Sequence, residues 1–149
     1  MTGVGGDLVK VSVSDVRVAV AAGPGVEAGL VTLREDEPPH RAVPIVIGQP
    51  EARAIQGAWT GAVRSRPSTW DLFVTTVATL GARLDKAVIT DVEDRRHFFA
   101  SIELDSAGEP RVLPARPSDA IALALRAYGA EIYVAEKVMA ALGMPSSAQ

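Results

Sequence analysis

The chain has 149 residues, of which 48% are hydrophobic and 22% are charged, so it can bury the core of one ordinary domain without covalent staples. It contains no cysteine, which excludes disulfides, thiolate nucleophiles and metal sites built on sulfur. The formal net charge of −3 argues against nucleic-acid binding through a broad basic surface, but it allows a local basic patch. No apolar run approaches the roughly 20 residues that span a bilayer, and the N-terminus does not resemble a signal peptide. We therefore expect a cytoplasmic protein without a membrane segment.

The first third of the chain has the composition of β-strands. Valine-rich runs are interrupted by a turn at Gly23, Pro24 and Gly25, as in a meander of short strands. The predicted strands are residues 8–13, 16–21, 26–33 and 42–47.

Two amphipathic helices are predicted next. Pro50 suits the first turn of a helix that ends near Gly61. A second helix begins at Ser68 or Thr69, either of which can act as its N-cap, and ends near Gly81.

The remaining chain alternates strands with shorter helices. Apolar and polar residues alternate over residues 97–104, which is the period of a half-buried strand. Further strands are predicted at residues 84–92, 111–115 and 131–134, a buried helix at 119–128 and a last helix at 135–142. The whole pattern predicts an α+β fold: one compact domain over residues 1–142, with an N-terminal antiparallel-rich sheet and three to four packed helices. Residues 143–149 are predicted to form a flexible tail.

Three acidic residues occupy the first turn of a predicted helix: Glu51, Asp71 and Asp119. A carboxylate there interacts with the free N–H groups of the helix, which is worth about 0.3–1 kcal/mol and needs no further role. If the three helix starts converge, the same carboxylates would form a site for Mg²⁺ or Mn²⁺, which prefer oxygen ligands and act on phosphates. The spacing alone favours the simpler interpretation.

Residues next to these acids carry further candidate functions. Arg116 could clamp a phosphate or carboxylate bidentately, or it could pair with Asp119. Ser118 is expected to cap the third helix. Trp70 lies on an apolar helical face, where core packing is the usual role and an apolar ligand pocket is the alternative.

The densest basic cluster is formed by Arg95, Arg96 and His97 at a predicted hairpin turn. Such side chains can contact a nucleic-acid backbone. A solvated turn is the more common role, and the neighbouring Glu93 and Asp94 weaken the positive field.

Six segments, taken in order, resemble the bifunctional nuclease domain family. The stretch from Arg116 to Ala124 is the most specific of them. The segments are residues 43–48 (VPIVIG) with Glu51, 66–69 (RPST) with Asp71, 84–89 (LDKAVI), 98–100 (FFA), 115–124 (ARPSDAIALA) and 132–134 (IYV) with Glu136.

The resemblance implies a compact α+β domain that forms a homodimer and has DNase and RNase activity. Glu51, Asp71, Arg116, Ser118 and Asp119 occupy the motif positions. One position departs from the family pattern, because Trp70 stands where a histidine is common in the family.

These observations lead to three hypotheses. The first is metal-dependent hydrolysis of DNA or RNA phosphodiester bonds, with Mg²⁺ or Mn²⁺ as cofactor. The second is a small-molecule-binding protein or a non-nuclease enzyme on the same scaffold, and the third is a non-catalytic dimeric interaction module. Under the first hypothesis the catalytic residues are Asp71, Arg116 and Asp119, the metal ligands are Glu51, Asp71 and Asp119, and the substrate-binding residues are Trp70, Arg95, Arg96, His97 and Ser118.

Overall fold

The computed structural model describes residues 6–63 and 65–145, and these form seven strands and four helices. In chain order the elements are β1 (Leu8–Gly23), β2 (Val26–Glu35), β3 (Ala42–Ile47), α1 (Gln49–Thr60), α2 (Thr69–Thr79), β4 (Ala82–Glu93), β5 (His97–Ser106), β6 (Glu109–Ala115), α3 (Pro117–Ala124), β7 (Glu131–Ala135) and α4 (Glu136–Leu142).

All seven strands join in one mixed sheet of order β3-β2-β1-β7-β4-β5-β6. Two antiparallel meanders, β1 to β3 and β4 to β6, form its two halves. The late strand β7 lies between them, antiparallel to β1 and parallel to β4. The predicted α+β fold with an antiparallel-rich sheet and packed helices is confirmed.

The two faces of the sheet differ in polarity, as the alternation along β7 illustrates. Ile132 and Val134 are buried in the core that the helices cover. Tyr133 points to the opposite face, where the Lys86 ammonium lies 5.3 Å from its ring centroid. The helices therefore gather on one side of the sheet, and the candidate site lies among them.

Two elements differ from the sequence prediction. Strand β1 is continuous rather than two strands, because the shift in register between Val13 and Asp15 is absorbed within its pairing to β2. Helix α3 ends at Ala124 instead of continuing to Tyr128. The amide of Arg126 bonds back to the carbonyl of Leu123, three residues earlier, so the helix tightens into turns.

Met144, near the start of the segment that was predicted as a flexible tail, pairs with β3. Met144 exchanges two backbone hydrogen bonds of 2.9 Å with Ala42 at the start of β3. Residues 146–149 of the predicted tail lie outside the described residues. Within residues 6–63 and 65–145, no helix is long and apolar enough to cross a membrane.

Candidate functional site

The start of α1 brings Glu51 toward the middle of the helical layer. Gly48 precedes the helix in an extended conformation, and Pro50 occupies its first turn. The Glu51 carboxylate folds back over Gly48, where a Cβ at residue 48 would collide with Glu51 Oε1. Only 19% of the Glu51 side chain is exposed, so the residues packed around it restrict its orientation.

Helix α3 begins where Arg116 adopts an extended N-cap conformation and Pro117 supplies the first helical residue. Ser118 is therefore the second residue of the helix and not its cap, so that prediction was wrong. Pro117 is already set for a helical φ, and this moves the boundary one residue earlier than the serine suggested. Ser118 is buried, at 5% exposure.

Arg116 joins the starts of α1 and α3. Its Nε donates to Asp119 Oδ2 at 2.7 Å and its Nη2 to Asp119 Oδ1 at 3.1 Å, a bidentate pair. The same Nη2 lies 3.5 Å from Glu51 Oε2. Two of the three predicted acids thus meet at one guanidinium. None of the described residues accepts a hydrogen bond from the remaining nitrogen, Nη1.

Trp70 connects α2 to this group. Its indole Nε1–H donates to Asp119 Oδ1 at 3.1 Å. The Arg126 guanidinium lies 5.9 Å from the centroid of the ring. Trp70 is therefore a half-buried packing residue and also a hydrogen-bond partner of the site.

Asp71, the third acid, points elsewhere. Its Oδ2 accepts from the Ser68 amide at 2.7 Å, while Ser68 Oγ accepts from the Asp71 amide, which completes a capping box. Its Oδ1 accepts from Arg126 Nε at 2.8 Å. The structure therefore places Asp71 in a separate ion pair, with Arg126 rather than with Arg116. Among the residues that the structure describes, no three His, Asp or Glu side chains form a group that could hold a metal ion.

The hydrogen bonds at the helix starts set the charge states of these groups. Burial would raise the pKa of Asp119, but hydrogen bonds from Arg116 and Trp70 outweigh it and lower that pKa below its usual range. Hydrogen bonding to the Ser68 backbone, with Arg126 contributing, lowers the pKa of Asp71. Asp119 in turn raises the pKa of Arg116. All three groups stay ionised at neutral pH.

The side chains of the predicted basic cluster, Arg95, Arg96 and His97, point in two different directions at the turn between β4 and β5. Asp94 and Arg95 adopt positive φ angles there. Arg95 turns toward α4, where its Nη1 donates to the Ala141 carbonyl at 3.3 Å. Arg96 and His97 instead face the start of α3.

Arg96 and His97 line a cavity of about 260 Å³ together with Gly48, Arg116 and Ser118, and we call it the basic groove. Three positively charged or protonatable side chains border it, and its lining contains no carboxylate.

A second cavity, of about 480 Å³, also has Arg116 in its lining, and we call it the apolar pocket. Arg116, Glu51 and Asp119 form its polar rim. Its apolar walls are Trp70, Phe73, Ile102, Leu113, Pro114 and Leu123. Phe73 is a large apolar residue of this lining that is 38% exposed.

Sequence reasoning missed Arg126, which holds Asp71 and packs on Trp70. Its Nη1 and Nη2 also donate to the carbonyls of Ala122 and Ala54, at 2.9 and 3.0 Å. The signal was present in the sequence, because a single arginine in the otherwise apolar run that was predicted as a buried helix over residues 119–128 needs buried acceptors.

Residues 31–147, most of the chain, match the family model of the bifunctional nuclease domain. The chain belongs to the bifunctional nuclease domain family. Two uncharacterized proteins of Mycobacterium tuberculosis, from strains CDC 1551 and H37Rv, are each 40% identical to it over 104 residues. The match covers 70% of this chain and 60% of the length of those relatives.

Proposed function

We propose that this bifunctional nuclease domain binds the phosphodiester backbone of a nucleic acid in the basic groove and hydrolyses it there. The observation that carries the proposal is the lining of that groove. Arg96 comes from the β4–β5 turn, His97 is the first residue of β5 and Arg116 lies at the start of α3, so separate parts of the chain bring two guanidinium groups and an imidazole to one cavity. A phosphate is the group that such a lining attracts most strongly.

The start of α3 strengthens the case for an anion. The N-terminal end of a helix carries free N–H groups and a partial positive charge. Ser118, in the first turn of α3, lies on the wall of the groove. The Nη1 of Arg116, which donates to none of the described residues, adds a charged donor that matches a phosphate oxygen.

The chemistry needs a proton carrier as well as positive charge. Histidine side chains exchange protons near neutral pH, and His97 is the histidine that lines the groove. We assign to it the transfer of a proton from the attacking water or to the leaving oxygen. The water oxygen forms a bond to phosphorus, the ester P–O bond breaks, and the leaving oxygen takes up one proton. Arg96 and Arg116 stabilise the negative charge that develops on the phosphate.

A divalent ion fits only part of the predicted ligand set. Glu51 and Asp119 meet at Arg116, and Mg²⁺ or Mn²⁺ can be held by one or two carboxylates with water as further ligands. When bound, such an ion would supply positive charge to the phosphate. Asp71 cannot join them while it remains in the capping box and paired with Arg126. We therefore propose that Glu51 and Asp119 would hold the ion once it displaces the Arg116 guanidinium that they now share, and that Asp71 has a structural role.

Cleavage of DNA and RNA by the purified protein tests this proposal. Single- and double-stranded substrates are incubated with Mg²⁺, Mn²⁺ or EDTA, and products are resolved on denaturing gels. We expect His97→Gln to lower the rate by about 100-fold, the lower range for loss of general acid–base catalysis. His40→Gln changes the other histidine, which contacts the Glu35 carbonyl, and should leave the rate unchanged. Equal rates for the two variants would overturn the role of His97.

Binding of a small molecule is the second candidate function, and the apolar pocket favours it. The volume of that pocket is within the range of about 300–1,000 Å³ that is usual for ligand sites. A folded, pure protein that neither binds nor cleaves any nucleic acid would favour this alternative, or the non-catalytic dimeric module.

A further inference from the structure

The position of the apolar pocket restricts which ligands it can bind. It lies beside the basic groove, and the Arg116 side chain forms part of the lining of both. A ligand with a charged part and an apolar part could therefore occupy both cavities at once. This continuity limits what the pocket binds, since one end of the ligand must suit the basic groove.

The charges around the two cavities orient such a ligand. Glu51 and Asp119 stand at the rim of the apolar pocket, whereas the basic groove has no carboxylate in its lining. Without a bound divalent ion, a phosphate would be repelled from the carboxylate rim and attracted to Arg96 in the basic groove. The uncharged part of the ligand is thus left for the apolar pocket.

The walls of the pocket suit a flat ring. Phe73 and Leu113 are 38% and 41% exposed, although both are large and apolar. Trp70 also lines the pocket, and its ring is held by the bond from Nε1 to Asp119 and by Arg126. Aromatic side chains of this kind stack with bases regardless of sequence.

We infer that the apolar pocket holds an unpaired nucleobase of the strand whose phosphate lies in the basic groove, so that single-stranded nucleic acid is the preferred substrate class. The inference rests on the proposed function, because it takes the phosphate site as given. A base in a duplex is stacked and paired on both sides and cannot enter the pocket without being extruded, which costs free energy. The sequence tolerance of stacking agrees with a site that accepts both DNA and RNA.

Binding of three labelled oligonucleotides, measured by fluorescence anisotropy without divalent ions, tests the inference. The probes are a short single-stranded DNA, a strand of equal length made of abasic sites, and the corresponding duplex. We expect the single strand with bases to bind at least about fivefold more tightly than the abasic strand, since stacking of one base supplies that factor or more. Equal affinities for these two strands would overturn the inference and leave the phosphate site intact.

A pair of variants isolates the pocket. Phe73→Ala should weaken binding of the single strand by about 5- to 100-fold and leave binding of the abasic strand unchanged. Leu80→Ala alters an apolar residue beyond the end of the same helix that is 80% exposed and lies outside the pocket, so it serves as the control. If Phe73→Ala does not fold, as judged by circular dichroism, Leu113→Ala tests the opposite wall.

Two further results distinguish a failure of this inference from a failure of the proposed function on which it rests. If Arg96→Ala leaves the binding of every probe unchanged, the proposed function itself fails. If Phe73→Ala changes the molar mass in sedimentation, the pocket is an interface with a second copy of the chain, and the inference is overturned.

Discussion

Neighbouring side chains determine which role each of the three helix-start acids can have. Glu51, Asp71 and Asp119 hold equivalent places in their helices, yet only Glu51 and Asp119 share a partner. Ser68, three residues before Asp71, completes a local capping box that could be read from the sequence. The contact between Arg116 and Glu51 spans 65 residues and depends on how α1 and α3 pack. Local chemistry was therefore predictable, and the meeting of distant side chains was not.

The hydrogen bond from Trp70 to Asp119 gives the first prediction. Trp70→Phe keeps the ring but removes the donor, so the free energy of unfolding should fall by about 1–2 kcal/mol. The pKa of Asp119 should rise toward its usual range, because one of the bonds that lower it is lost. Urea unfolding and an NMR titration of the carboxyl carbon measure the two effects. Trp59→Phe, at a tryptophan that is 41% exposed, is the matched control.

Acid should destabilise the domain through Asp119. Its pKa is lowered on folding, so its contribution is complete above the unfolded value of about 3.8 and is lost as the pH falls through the lower folded value. Unfolding free energies measured at a series of pH values should therefore decrease below about pH 4. Asp119→Asn should flatten that decrease, whereas Asp94→Asn in the exposed β4–β5 turn should not. Identical acid profiles for all three proteins would contradict the assignment.

At the scale of elements, the close approach of α1 to β2 fixes the position of Glu51. A Cβ on Gly29 would collide with Ala52 Cβ and lie 3.0 Å from the Gly48 carbonyl oxygen. Gly29→Ala should push α1 outward and cost about 1–3 kcal/mol of unfolding free energy. Gly57→Ala, in α1 where a Cβ meets nothing within 4 Å, should instead be neutral or stabilising. Chemical denaturation of both variants checks the pair.

Arg126 connects α2 to α3, and its loss gives a second prediction at this scale. Arg126→Ala removes the ion pair with Asp71 and the bonds to two buried carbonyls. We expect a loss of about 2 kcal/mol, because a third of Asp71 is exposed and water screens part of the pair. Arg53→Ala, at an exposed position of α1, is the control. A loss of equal size in both variants would contradict the account.

At the scale of the whole molecule, the order of elements was predictable and their arrangement was less so. The alternation over residues 97–104 identified β5, and the turn residues marked most boundaries. The insertion of β7 between β1 and β4 could not be seen, because strand pairing depends on contacts between distant segments. The homodimer and the cytoplasmic location stay predictions, and sedimentation of the purified protein tests the first.

The central claim is that the groove bordered by Arg96, His97 and Arg116 binds phosphates. Two adjacent arginines test it directly, because Arg96 lines the groove and Arg95 turns away to the Ala141 carbonyl. The measurement is the affinity for a single-stranded oligonucleotide as a function of salt concentration. We predict that Arg96→Ala weakens binding and reduces the slope of log K against log salt by about 0.7, the value for one phosphate contact. Arg95→Ala should change neither quantity. Equal effects of the two substitutions, or none from Arg96→Ala, would contradict the claim.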